Sequence, residues 1–254
     1  MVVVSERSIE RLLIDVAPKV ERLTGWKTHL DALTVKLVRR DQVWEHGIKP
    51  KYNILGIDTE AKTEKGKKDL GMIKVLMPYV LGGLYEPLTG TMLIVPDNVR
   101  FGTNESGLTV TLGHELVHRC QFTNHPRWAE MYPTLVRKIT GSSAFDDDEH
   151  EDKSYMKYLQ AYMTLAEGDA SHVETQLKKM FYQDAKNKTA HVSNFIGLLL
   201  FLHSLGNAED GFIKKLKQYE QGERIVGRVY ETEGRKGVNE LYNLDAGGLY
   251  QKFG

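Results

Sequence analysis

The sequence predicts an α+β fold: a small N-terminal mixed α/β part carrying an antiparallel edge strand, then a mainly helical C-terminal part, with a cleft between them. Three observations predict it. The first hundred residues combine one amphipathic helical pattern with short β-branched runs, and from about Ser106 onward helical patterns dominate. Of the 254 residues, 41% are hydrophobic and 27% charged, enough apolar side chain for one large core or two intimate subdomains. Residues 1–105 and 106–254 form the two parts of one unit.

From Ser5 to Leu23, the apolar positions Ile9, Leu12, Leu13, Val16, Val20 and Leu23 repeat at the spacing of one helical face, with Ser5 as cap and Pro18 tolerated inside. Leu33 to Arg39 alternates and is β-branched, which predicts a half-buried strand. Asp41 to Lys68 is polar and Gly-punctuated and reads as irregular. Two short strands follow, joined by the Pro/Gly turn of Glu86-Pro87-Leu88-Thr89-Gly90; the second, Thr91 to Val95, ends at Pro96 and is read as an edge. Helices are then expected around 106–122, 127–139, 152–183, 191–205 and 211–235, with the acidic run Asp146 to Asp152 as a solvated loop between two of them.

Composition excludes several function classes. The 34 basic and 34 acidic residues cancel, and no basic run interleaved with aromatics marks a nucleic-acid surface. The single cysteine, Cys120, forms no internal disulfide, so the fold does not rely on an oxidising compartment. The N-terminus lacks a basic n-region, and the longest apolar stretch, Ile196 to Leu202, is far below the ~20 residues that span a bilayer. A cytoplasmic protein without a membrane partner is expected.

The chemistry lies in His114-Glu115-Leu116-Val117-His118, placed inside a helix that Asn104 or Ser106 caps. Histidines four residues apart share one helical face with Cβ atoms about 5–6 Å apart, so both imidazoles reach one zinc ion at about 2.0–2.1 Å. Glu115, turned by roughly 100° around the helix, leans over the metal's open position, where a base for water must stand. A catalytic zinc normally has a third protein ligand. A further histidine in the extended motif would fall at position 124, which is Asn124; His125 is one residue out of register, so a carboxylate from a later helix remains.

Glu167 is the best candidate for that carboxylate, the other reading being an ion pair with an arginine across the helix interface. Met156, Leu159, Met163, Ala170, Leu177 and Phe181 trace an apolar stripe, and Glu167 falls inside it, where a carboxylate is costly unless a cation meets it. Gly168 fits a place where another backbone or a metal approaches closely. Glu174 shares the stripe two turns on and is expected to accept from a ligand histidine; Ser171 is a second candidate for that role. Tyr219 and His203, on later helices, are the candidates for stabilising an oxyanion. His125, His150 and His172 have no spacing that recommends them.

An HExxH motif followed on a separate helix by Glu167 in Ala166-Glu167-Gly168-Asp169-Ala170 resembles the gluzincin branch of the zincin-like metallopeptidases. The resemblance runs from the strand at 91–95 to the C-terminus, where Tyr219-Glu220-Gln221-Gly222, Gly234 and Val238 to Tyr242 resemble the helical tail that supports the site in bacterial members. It implies a zincin-like fold with the active site in the cleft, and one zinc per chain on His114, His118 and Glu167. It also implies Glu115 as general base and hydrolysis of peptide bonds by a water that this carboxylate deprotonates. Thermolysin-like members carry Asp four residues after the ligand Glu to orient the first histidine. Here that position is Ser171, and Asp169 lies on the wrong face to replace it.

The reading is therefore a zinc metallopeptidase whose substrate is a peptide or protein, held in extended form along Met92, Leu93 and Ile94. A zinc hydrolase of a non-peptide amide or ester uses the same residues, and a non-catalytic zinc-binding protein of this fold is the third reading. Intact Glu115 argues against the last, since a structural site gains nothing from a base.

Overall fold

The computed structural model describes residues 4–56, 81–99, 103–134, 149–186 and 208–253, with Lys74 and Pro78. The first helix, α1 (Glu6–Thr24), is set at its start by a capping box between Ser5 and Ser8 and at its end by Gly25, whose φ of 72° terminates the helix. Its buried face carries the apolar residues that the periodicity singles out, Ile9 to Leu23. Strand β1 (Thr34–Leu37) follows. Part of the stretch read as irregular is instead helical: a π-helical turn, Val43–Ile48, runs into α2 (Lys49–Ile54), with Pro50 in its first turn. Burial of Val43, Ile48 and Tyr52 supplies the reason; the polar residues between them hide the pattern. Residues 57–68 lie outside the described ones.

Strands β2 (Gly83–Glu86) and β3 (Thr91–Ile94) form an antiparallel hairpin around the turn at 87–90, where Gly90 takes φ 62°. The sheet order is β1-β3-β2, with β1 parallel to β3. The second strand is therefore central, not an edge. Its backbone groups pair on both sides, because β1 arrives from upstream to take the side that the hairpin leaves open. Met92, Leu93 and Ile94 are consequently core residues, each at most 2% exposed, and cannot hold a substrate by strand addition.

Helices make up the rest of the described fold, beginning with the short Pro96–Val99. Helix α3 (Glu105–Asn124) is capped by Asn104, whose side chain accepts from the Gly107 amide at 2.9 Å. Every residue from Gly107 to Gln121 is buried, so this helix runs through the centre of the molecule. Residues 126–134 are also helical; 135–139 and the expected helix at 191–205 lie outside the described residues. Helix α4 (Glu149–Met180) begins inside the acidic run, which is thus a helix start from Glu149 onward. Helix α5 (Ala208–Leu241) is broken at Gly234 (φ 67°, ψ −166°), and α6 (Ala246–Phe253) ends the chain.

Helix α3 packs against α1, α4 and β2, and α4 against α5 and α6. Buried apolar residues from Val4 to Phe253 form one cluster. Glycines permit the close contacts. A Cβ on Gly113 would lie 2.5 Å from Leu177 and 3.1 Å from Val16, and one on Gly168 would lie 2.6 Å from the carbonyl oxygen of Gly222. The close approach expected at Gly168 is thus that of another backbone, from α5. No helix among the described residues is long and apolar enough to cross a membrane.

Candidate metal centre

Three side chains from two helices meet beneath β2. His114 and His118, one turn apart on α3, bring their Nε2 atoms within 3.2 Å of each other. Glu167, projecting from α4, places Oε2 at 3.4 Å from the His114 Nε2 and 3.5 Å from the His118 Nε2. All three residues are buried, and their ligating atoms lie within 4.8 Å of one another. Among the described residues this is the group of His, Cys, Asp and Glu that could hold a metal ion.

The hydrogen bonds behind the imidazoles decide what the group can bind. Nδ1 of His114 is 3.1 Å from Oε2 of Glu174, whose other oxygen takes the Lys178 ammonium at 2.6 Å. Nδ1 of His118 is 2.9 Å from Oε1 of Gln121. The Gln121 amide can face only one way, because its nitrogen donates to the Ala166 carbonyl oxygen at 2.9 Å. Both acceptors therefore place an imidazole proton on Nδ1, leaving each Nε2 lone pair turned towards the carboxylate of Glu167. With neutral imidazoles, none of these three atoms can donate to another.

Three converging acceptors repel unless a proton or a metal cation sits among them. Glu167 makes the case sharply: both of its oxygens are buried and lack a hydrogen-bond donor among the described residues. In the absence of a metal, protons take that place. Burial would lower His114, but the carboxylates of Glu167 and Glu174 on either side of the ring outweigh it and raise its pKa to about 10. Glu167 moves the opposite way: burial opposes its ionisation, and the two histidines still hold it well below the usual carboxylate range. Tetrahedral zinc at about 2.0–2.1 Å from each ligand sets ligand atoms about 3.3 Å apart, and the three separations here bracket that value. Two imidazoles and one carboxylate are also a usual donor set for this ion.

Glu115 stands outside the trio. It is fully buried, its Oε2 accepts from the Tyr85 amide at 2.8 Å, and its Oε1 has no partner among the described residues. Burial pushes its carboxyl above the usual range against the pull of His118 and His114. Gly83 lies beside it; a Cβ there would come within 3.5 Å of the Glu115 Cγ.

The residues singled out from the sequence are placed as follows. His114, Glu115, His118 and Glu167 come together. Glu174 backs His114, whereas Ser171 does not, so the partner that the resemblance left unassigned is one helical turn further along the same face. Asp169 does point elsewhere, to Arg235 and Tyr242. Tyr219 lies in α5 with its side chain outside the described residues, as is that of His150, and His203 is outside them altogether. His125 stacks on Tyr242 with ring centroids 4.7 Å apart, and His172 packs on Tyr230 at 4.9 Å; neither joins the trio.

Sequence reasoning missed Gln121, which fixes His118, and the Tyr85 amide, which fixes Glu115. Gln121 had a signal: three residues after His118, it lies on the same helical face. Comparison of the chain with protein-family models, with curated proteins and with solved structures finds no match in any of the three.

Proposed function

We propose that this chain is a zinc-dependent metallopeptidase of the gluzincin kind, with zinc held by His114, His118 and Glu167 and Glu115 as general base. One observation carries the reading: three buried acceptor atoms, two of them turned inward by the partners of Nδ1, converge at the spacing of zinc ligands. Zinc bound there supplies a Lewis acid that polarises a carbonyl and lowers the pKa of water.

The chain's own residues supply the proton transfers. The Tyr85 amide holds Oε2 of Glu115, which leaves Oε1 to take a proton from water. Burial holds its carboxyl above the usual range, which makes it a stronger base for that proton and for returning it to the leaving amine. Peptide recognition moves from β3 to β2. The Gly82 carbonyl accepts from the Val95 amide, just before β2 and just after β3, so by strand alternation Gly83 and Tyr85 turn their backbone groups outward, where the Tyr85 amide meets Glu115. The outward groups that Glu115 leaves open, on Gly83 and the Tyr85 carbonyl, are where an extended substrate would add.

A second reading has its own observation. His114 and Glu115 are 0% exposed, and β2 is buried throughout, which favours a small amide or ester over a polypeptide. A peptide-library digest with wild type and Glu115→Gln, zinc content measured in both, separates the two. The peptidase reading expects cleavage by wild type, and full zinc with turnover reduced by about 10²-fold or more in the variant. Zinc-loaded wild type that cleaves no peptide but hydrolyses small amides or esters establishes the second reading, and cleavage by Glu115→Gln at the wild-type rate removes Glu115 as base.

A further inference from the structure

We propose that Asp169, Tyr242 and Gln121 form a one-way hydrogen-bond relay that positions His118, so that the segment after Gly234 sets the metal affinity of a site it does not touch. The inference rests on the zinc reading above and concerns residues outside the ligand set.

The direction of the relay follows from which atoms own protons. Asp169 is 0% exposed and gripped by the Arg235 guanidinium, with Nη2 at 3.0 Å from Oδ2 and Nη1 on Oδ1. An ionised carboxylate only accepts, so the Tyr242 hydroxyl donates to Oδ2, at 2.8 Å. With its proton committed, that hydroxyl is an acceptor for Nε2 of Gln121, at 2.9 Å. The Gln121 amide nitrogen, shared between Tyr242 and the Ala166 carbonyl, points its oxygen at Nδ1 of His118. The proton of His118 is thereby kept on Nδ1 and its Nε2 lone pair is aimed at Glu167. Every member is buried, so water does not substitute for a lost link.

The two ligand histidines are backed differently. His114 leans on a carboxylate that comes from α4, the helix that also bears Glu167. His118 leans on a neutral amide held jointly by the Ala166 carbonyl and by a tyrosine 121 residues further along the chain. Arg235 also donates from Nε to the Thr24 carbonyl oxygen at 3.0 Å, and Asn239 donates to the same oxygen at 3.3 Å. The relay is thus anchored to the end of α1, and the chain beyond the Gly234 break is fastened at both ends of the contact. Tyr242 is further fixed by Trp26, Trp128 and His125, which surround its ring. This packing survives loss of the hydroxyl alone.

The test uses the full chain as wild type, Gln121→Met and Tyr242→Phe. Zinc affinity is measured by competition with a chromophoric chelator, and the imidazoles of the zinc-loaded protein by long-range ¹H–¹⁵N correlation. Loss of the direct partner should weaken zinc about 10–100-fold, and Tyr242→Phe, one link further, should weaken it less but measurably. In both variants the Nδ1 resonance of His118 should move while that of His114 stays. Tyr242→Phe keeps the ring and guards against a Gln121→Met chain that does not fold. Wild-type affinity in Tyr242→Phe, or equal changes at the two histidines, overturns the relay while the zinc reading stands. A wild type that takes up no zinc overturns both.

Discussion

Gly168→Ala tests whether the packing that presents Glu167 is understood. In an open helix the change should stabilise by about 1 kcal/mol, because alanine is the better helix former. Here the added Cβ would lie 2.6 Å from the Gly222 carbonyl oxygen and 2.7 Å from its Cα, against an ordinary carbon contact of about 3.5–4.0 Å. Both neighbours are backbone, so no rotamer change relieves the clash, and the helices must separate by about 1 Å. Overpacking of this kind costs about 1–3 kcal/mol, and a rigid backbone neighbour places it at the upper end. Subtracting the gain in helix propensity leaves a net destabilisation of about 2 kcal/mol. Urea denaturation followed by circular dichroism measures it, with Gly222→Ala as companion, since a Cβ there meets the Thr164 carbonyl oxygen. A Gly168→Ala chain as stable as wild type, or more stable, would refute the helix contact as described.

Three further outcomes follow from the same geometry. Glu167→Ala should lose most zinc affinity and Glu174→Ala about 10–100-fold; a reversed ranking would make Glu174 the ligand. Zinc affinity should keep rising with pH from 6 towards 9, because a proton on His114, with its pKa raised to about 10, competes with the metal and is bound more fully as pH falls; isothermal titration across that range checks it, and a plateau above pH 7 would contradict it. Lys51→Met removes the ammonium 3.1 Å from buried Glu86 and should cost about 3–5 kcal/mol in urea denaturation. A loss below about 1 kcal/mol would show that Glu86 does not need its partner.

Sequence reasoning succeeds where the controlling interaction is local. The face of α1 follows from its spacing, its cap Ser5 from its residue type, and the histidine pair from one helical turn, whereas the structure alone chooses Asn104 over Ser106 as the cap of α3. Glu167 is legible because a carboxylate within an apolar stripe demands a cation, and its burial at 3% exposure bears out the placement. What is illegible depends on distant pairing. The central position of β3 follows from β1, whose Thr34 pairs with Thr91; nothing in the hairpin announces that strand. Gly168 announces a close approach, yet its partner Gly222 lies on another helix. Gln121 is set aside from the sequence as a departure from an extended histidine motif, and its role emerges only when Tyr242 and the Ala166 carbonyl fix its amide.

The proposed site puts one zinc ion on His114, His118 and Glu167. Metal analysis of the purified full chain by mass spectrometry, beside His114→Ala and His118→Ala, tests it most directly. Wild type should carry about one zinc per chain, and neither variant should retain any through dialysis. Wild type that neither carries zinc nor takes it up on titration, or variants that keep the full complement, would contradict it.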